Sequence, residues 1–296
     1  MKKSILGLYL SDQLAQALLL SQDGGTATLE AVAEWQSTLF SYAGDDTPGV
    51  DEFVERVSQF VSASKSKVDH LRLSVDSSLA FINTIPLPSG ASRAQIDEHI
   101  IWELERYFPD LPKGGFVSDM HVLNKDSDQT TDNILIVAIR RDLVQKLRRA
   151  SARLDMSLDL VDVDHFSAES ALRSNYPETA NKFVALVCAK PKYIEMSFMR
   201  YGELESYSTR AIDTFDDLVA CIRDLSRNTR GLSSIAVYGT HLDRTLLMRI
   251  RNASALPVEA FNPFRNVDIV YSVRSNSDLT LAPYRFAAAV GAALRE

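Results

Sequence analysis

Cysteine is nearly absent from the chain: only Cys188 and Cys221 occur, far apart and outside any CxxC or Cys/His spacing. That excludes a disulfide framework and a thiolate zinc site, and the pair reads as reduced core residues of a cytoplasmic protein. Long hydrophobic runs are missing too. The opening MKKSILGLYLSDQLAQALLL imitates a signal peptide, but Ser11, Asp12, Gln13 and Gln16 break the run and no small-residue cleavage site follows. No stretch is long enough to span a bilayer, so a direct transmembrane segment is not expected. Positive charge is not in excess: the net charge of −7 argues against a general nucleic-acid binder. The GxSxG, HExxH, Walker A and GxGxxG patterns do not occur, which removes the reactions that depend on them. The five histidines, His70, His99, His121, His165 and His241, lie on different elements with no partner at metal-ligand spacing. Surface or capping roles are expected for them, and no metal site. The Asn252-Ala253-Ser254 sequon has no meaning without secretion.

What is present is an ordinary globular balance, 46% hydrophobic and 24% charged, in a chain long enough for two domains or one with inserted subdomains. Residues 4–10 and 14–20 read as strands around the polar tip Ser11-Asp12-Gln13, and Asp23-Gly24-Gly25 turns into a third strand, 26–38. A helix follows, with Thr47 as N-cap, Pro48 at its first position and Val50, Phe53, Val54, Val57, Phe60 and Val61 on one face. Strands near 70–76 and 79–87 lead to Pro86 and Pro88, which should end the sheet. A capping box of Ser92 and Gln95 opens a helix to about Phe108 with the stripe Ile96, Ile100, Leu104 and Tyr107. Then come a strand at 116–123, a polar loop at 124–133, a strand at 134–139, a helix at 141–154, a strand at 158–163 and a short helix from about Ser167.

From Phe183 the opening pattern returns: FVALVC, the tip Ala189-Lys190-Pro191-Lys192, YIEMSFM, the turn Tyr201-Gly202-Glu203 and LESYSTRAI. The first strand (Ile5, Phe183) and second turn (Gly24, Gly202) are both offset by 178 residues, so the chain reads as two halves on one plan. Thr214 then caps a helix with Asp216 and Asp217 in its first turn and Gly231 past its end. SIAVYG is a strand, 242–254 a helix, and Pro283 opens the last helix.

Three features remain candidates for binding or chemistry. Trp102 lies ~170° around its helix from the apolar stripe, beside Ile85, Leu87, Tyr107, Phe108 and Pro109. It is either covered by a second layer or an aromatic anchor for an extended peptide. A basic set, Arg140, Arg141, Lys146, Arg148, Arg149 and Arg153, is either a solvated helix face or a contact for an acidic partner or anionic leaflet. Asp162 and Asp164 form a paired-carboxylate motif, against which stand solvated or capping roles.

Two halves that each begin with a β-meander resemble the actin-like ATPase architecture. Ile85-Pro86-Leu87-Pro88 followed by IDEHIIWELERYFP (Ile96–Pro109) resembles the signature of PilM, a cytoplasmic type IV pilus assembly family. ILIVAIRRDLV (Ile134–Val144), LDLVDVDHFSAESAL (Leu158–Leu172), LPVEAFNPF (Leu256–Phe264) and APYRFAAAVGAALR (Ala282–Arg295) continue the likeness in order. The resemblance implies an α/β fold, a duplicated ribonuclease H-like core of the actin-like ATPase class. Subdomain 1A would cover 1–83 with 158–182 and 282–296, and an inserted FtsA-like 1C would cover 84–157. The second half would span 183–281, with 2B cut down to a helix near 214–230.

In such proteins glycine-bearing tips with an Asp hold Mg²⁺ and phosphates. Here the corresponding positions are Gly7, Tyr9 and Ser11 at the first tip and Cys188 and Lys190 at the second, with Gly239-Thr240 near the adenine. Asp12 and Lys190 remain as phosphate contacts, but no pair of carboxylates is expected there, so the resemblance implies a pseudo-ATPase without a cofactor. The family's partner is the N-terminal cytoplasmic tail of the inner-membrane protein PilN, received between 1A and 1C. Carried over, that groove would involve Ile85, Leu87, Trp102, Phe108 and Ile139. The expected function is a cytoplasmic scaffold held at the inner membrane by this partner, with a motor ATPase as a further one. The alternatives are a nucleotide-dependent switch using ATP with Mg²⁺, and a cytoplasmic domain like that of the type II secretion protein GspL. The latter would continue into a transmembrane helix, whereas this sequence stops at Glu296.

Overall fold

The computed structural model describes residues 3–37, 47–64, 66–112, 114–123 and 130–295, without the side chains of Thr47 and Pro48. In chain order the elements are β1 (Lys3–Leu10), β2 (Leu14–Asp23), β3 (Thr26–Gln36), α1 (Thr47–Ser64), β4 (His70–Val75) and β5 (Ala80–Pro88). There follow α2 (Arg93–Tyr107), β6 (Phe116–Leu123), β7 (Thr131–Arg140), α3 (Arg141–Arg153), β8 (Ser157–Val163) and α4 (Asp164–Asn175). The second half comprises β9 (Phe183–Ala189), β10 (Tyr193–Arg200), β11 (Glu203–Ala211), α5 (Phe215–Asn228), β12 (Ser234–Tyr238) and α6 (Arg244–Ala253). Last come β13 (Val258–Ala260), β14 (Val267–Ile269), α7 (Tyr271–Arg274), α8 (Ser277–Leu281) and α9 (Ala287–Leu294). No helix among the described residues is long and apolar enough to cross a membrane.

Two compact units divide the chain: residues up to Asp76 together with those from Ser151, and a smaller unit from Ser77 to Ala150. The smaller unit begins and ends seven residues before the 84–157 expected for an insertion. β8 is the reason at the far end, because Ser157 to Val163 pair with His70 to Val75 of β4 in the larger unit.

The larger unit holds two sheets on one plan. The orders β3-β2-β1-β4-β8 and β11-β10-β9-β12-β13 match strand for strand, and β14 adds an edge to the first. Each has an antiparallel meander and then two parallel strands. The repeat offset is not constant. Ser11 and Lys190 open equivalent tips, 179 residues apart, each donating its N–H to the carbonyl three residues on. The second turns, Gly24-Gly25 and Tyr201-Gly202, are 177 apart, because β2 has 10 residues and β10 only 8. In both turns the two central residues have positive φ, the requirement of a tight two-residue hairpin.

Most of β1, β2, β9 and β10 is buried, and α9, with Ala287 to Ala293 all buried, lies on β1 and α4. Close approach explains two glycines. A Cβ on Gly7 would sit 2.6 Å from the Ala289 carbonyl, and one on Gly291 would run into the Ser167 carbonyl. Gly7 is therefore a helix-packing position in mid-strand, which corrects its placement at a phosphate tip.

In the smaller unit the sheet order is β5-β7-β6. Pro86 and Pro88 do not end this sheet: they lie in edge strand β5, opposite Asn133 and Thr131. An edge strand tolerates a missing donor. α2 opens with the expected Ser92–Gln95 capping box, and its Ile96, Ile100 and Leu104 pack with Ile85, Leu87, Ile134, Ile136 and Ala138. Of the expected 124–133 loop, 124–129 lie outside the described residues, and Thr131 onward is β7. The short helix expected from Ser167 starts at Asp164 and has 12 residues. β13, β14, α7 and α8 had no counterpart in the sequence reading; each has only three to five residues, too few for a period to show.

Candidate functional site

Where the strands of the two large sheets end, a cluster of polar side chains is sealed from water. The first sheet brings Tyr9 from β1, Asp76 just past β4 and Asp164 at the start of α4. The second brings Cys188, Lys190 and Glu195 from β9, its tip and β10, with Tyr207 and Tyr238 behind. Parallel pairing of β4 with β1 and of β8 with β4 carries the two aspartates there, and Asp76 N–H bonds to the Leu10 carbonyl.

Lys190 is the centre. Its Nζ lies 2.8 Å from Asp164 Oδ2, 3.0 Å from Asp76 Oδ2 and 3.2 Å from Glu195 Oε2. An ammonium has three protons, and here each has a carboxyl oxygen to meet. Tyr9 donates its hydroxyl to Asp76 Oδ2 at 2.9 Å, and Tyr207 donates to Glu195 Oε1 at 2.8 Å. Lys190 itself is only 6% exposed.

Burial of this kind penalises charge unless the charge is compensated. Burial would lower the Lys190 pKa, but the Asp164 and Glu195 charges outweigh it and hold the ammonium protonated far above its usual range. One ammonium cannot balance three carboxyls. Burial pushes Asp164 up to about 8, opposed by Lys190 and assisted by Glu195 and Asp76, so a proton on Asp164 relieves the excess charge near neutrality. Burial also raises the Tyr9 hydroxyl and the Cys188 thiol, keeping both protonated.

Behind the cluster, His165 is fully buried, with Nδ1 3.0 Å from the Tyr238 hydroxyl. Desolvation lowers it to about 4, so it is neutral, which corrects the expected surface or capping role. Asp164 and Asp162 are likewise buried, not solvated. Asp162 accepts from Ser167 Oγ at 2.8 Å and from the Arg295 guanidinium. Burial raises Glu169, on the same helix as His165, to about 7.

The actin-like plan implies Mg²⁺ with a nucleotide at such a cleft. Asp164, Cys188 and Glu195 do place ligand atoms within 4.8 Å of one another. They do not fit a metal ion as they stand, because the Lys190 ammonium already occupies the point facing Asp164 and Glu195. A second cation between the same oxygens would be opposed by like charge.

The predicted cleft residues are thus only partly brought together. Tyr9, Cys188 and Lys190 converge. Ser11 instead closes its own tip, accepting from the N–H groups of Gln13 and Leu14, and Asp12 is exposed. Gly239 has φ 135° and a Cβ there would lie 2.6 Å from the Ala189 carbonyl, so backbone packing explains it. Thr240 bonds to His241 at 3.1 Å. Asp76, Asp164 and Glu195 overturn the expectation that no two carboxylates meet here. They lie 31 to 119 positions apart in sequence, so only strand pairing could reveal them.

In the smaller unit the expected peptide-binding set divides. Ile85 and Leu87 are 3% and 6% exposed beneath α2, and Ile139 is buried in β7, so these three belong to the core and not to a surface. The β-strand period turns them inward. Trp102 and Tyr107 are half exposed, Pro109 is exposed and Phe108 is partly buried. Trp102 is therefore not under a second layer; its ring meets His99 at 5.3 Å and the Arg106 guanidinium at 5.7 Å. Phe81, Phe108 and Phe116 form an aromatic array, with centroids 5.4 Å and 5.0 Å apart. Beside it a cleft of about 60 Å³ is lined by Ile101, Leu104, Phe108, Leu111, Pro112 and Phe116, among others. Of the basic set, Arg140 pairs with Asp142, and Arg141 bonds the Gly114 and Phe116 carbonyls. Arg148 and Arg149 are exposed.

The duplicated sheets place the chain in the actin-like ATPase fold class. It resembles a Bacteroides thetaiotaomicron protein with an actin-like ATPase fold and unknown function at 11% identity and TM-score 0.52, over 94% of this chain and 96% of that one. The similarity to the PilM-PilN type IV pilus biogenesis complex is greater, with TM-score 0.77 and 15% identity over 98% of each chain. The cytoplasmic domain of EpsL from Vibrio cholerae reaches TM-score 0.48 at 12% identity, covering 88% of this chain and 98% of that one, too little for argument. No curated protein matches the sequence. The model of the type IV pilus assembly protein PilM family matches residues 7–204, well over half the chain. The chain belongs to that family: it is a type IV pilus assembly protein of the PilM type.

Proposed function

We propose that this protein is a scaffold that docks the cytoplasmic tail of a PilN-like inner-membrane partner and hydrolyses no ATP. The observation that carries the reading is the exposed apolar surface of α2 on the smaller unit. The neighbours Ile101 and Trp102 stand half exposed together, and Ile101 lines the cleft with Leu104, Phe108 and Phe116; Tyr107 is half exposed on another side of the helix. Folded proteins seldom leave such side chains together in water unless a partner covers them. β6 at the sheet edge adds main-chain groups that an extended peptide can pair with. The complex that the fold resembles contains PilM with PilN, which supports the choice of partner. A motor ATPase is a further partner on this reading. A peripheral place at the cytoplasmic side of the inner membrane follows from the partner.

The test is calorimetry of a synthetic PilN-like N-terminal tail against the full chain. Micromolar binding that weakens at least tenfold in Trp102→Ala is expected, since an aromatic anchor contributes about 2 kcal/mol or more. Absence of binding, or equal binding by Trp102→Ala, overturns the reading. ATP with Mg²⁺ is expected not to bind at millimolar concentration, and micromolar binding would restore the nucleotide switch.

A further inference from the structure

We propose that Lys190 is a tethered cation that takes the place a metal–nucleotide complex would fill, and that it latches the two large sheets together without any ligand. This rests on the reading of the chain as a pseudo-ATPase and goes beyond it, since a lost site need not be a filled one.

Three observations converge. The ammonium bridges the halves: Asp76 and Asp164 belong to the first and Glu195 to the second, all within 3.2 Å of Nζ. The surroundings are built for a cation. Tyr9 donates to the same Asp76 oxygen that faces Nζ, Tyr207 donates to the other oxygen of Glu195, and the Tyr193 ring centroid lies 5.3 Å from Nζ. The tip is shaped to deliver the side chain. Pro191 follows Lys190, and the Lys190 N–H closes the turn on the Tyr193 carbonyl. In a ligand-gated cleft the bridging charge arrives with the ligand, so closure depends on concentration. Here the bridging charge is covalent, so closure is permanent and set by folding.

The consequence is a cation site that substitution should uncover. The experiment measures melting of the full chain and of Lys190→Ala with Mn²⁺ alone, then with ethylammonium as a probe that restores the missing head group. Lys190→Ala should melt roughly 10 °C lower than the parent. Millimolar Mn²⁺ or ethylammonium should recover part of that loss, while neither shifts the parent. A variant that melts like the parent overturns the latch, and so does one that neither cation restores. Should the variant not fold, the parent still decides the matter through the ¹⁵N spectrum of its lysine ammonium groups. One slowly exchanging signal, unchanged by Mg²⁺ with ATP, is expected; its absence, or its loss on adding nucleotide, refutes the proposal. Failure of the pseudo-ATPase reading appears separately, as nucleotide binding by the parent.

Discussion

The two meander tips of the larger unit have the same fold and opposite uses. Ser11 and Lys190 each open a tip by donating the backbone N–H to the carbonyl three residues on. Ser11 then turns its hydroxyl back onto its own loop, accepting from Gln13 and Leu14. Lys190 reaches out of its loop to Asp76 and Asp164 of the other half. One position further on, Asp12 is exposed at the first tip, and Pro191 at the second. Backbone pairing sets the address of a tip residue, and side-chain length with charge decides whether it acts locally or across the molecule. The strands behind differ likewise. Gly7 leaves room for α9, whereas Leu186, at the matching place in β9, keeps a full, wholly buried side chain.

The comparison breaks most visibly at Lys190. Lys190→Met should cost about 3–5 kcal/mol in urea unfolding, because three carboxyls lose their buried cation. A cost below about 1 kcal/mol would mean that the tip is merely a turn. Gly7→Ala comes next at about 1–3 kcal/mol, since its Cβ meets the backbone carbonyl of Ala289 and Ala293 Cβ at 2.6 and 2.7 Å. Leu186→Ala tests the same strand place in the other sheet by loss of packing instead, and a volume-restoring Leu186→Met should be nearly neutral there.

A smaller effect is the pH dependence. The folded state holds protons on Asp164 to about 8 and on Glu169 to about 7, which the unfolded chain releases near 4. Their stabilising contribution is complete in acid and is lost as pH rises through those values. His165, lowered to about 4, acts oppositely and only below its unfolded value near 6.5. From pH 6.5 to 8 stability should therefore fall, by about 1 kcal/mol per pH unit for each group still titrating. Lys190, Asp76 and Glu195 face Asp164, so Asp164→Asn should flatten the upper part of the slope. A flat profile in the parent would show that no carboxyl there is held protonated. Least of all, Ser11→Ala should cost about 1 kcal/mol, the value of a local turn cap.

Much of this fold was legible before any coordinates. The short apolar runs SILGLYL and FVALVC, the Gly24-Gly25 and Tyr201-Gly202 turns and the Ser92 and Thr214 caps are local signals, and they marked both meanders and the helices that the caps open. The site was legible only in part. Lys190 stood out as a departure from a glycine-bearing tip, but its partners did not. Asp76 looks like any acid at a strand end, and Asp164 looked like a capping residue until β8 was seen to pair with β4. Ile85 and Leu87 drew attention beside Trp102, yet an alternating strand put them inside while the helix put Trp102 outside.

The sequence by itself determined the periodicities, the turns and the family, because those depend on neighbours within a few residues and on an order of motifs along the chain. Tertiary structure alone decided which charges meet. Asp76, Asp164, Lys190 and Glu195 carry no mutual spacing, and the dry interior between the two sheets makes their meeting count. Coulomb attraction that water would screen to almost nothing becomes decisive once strand pairing has removed the water.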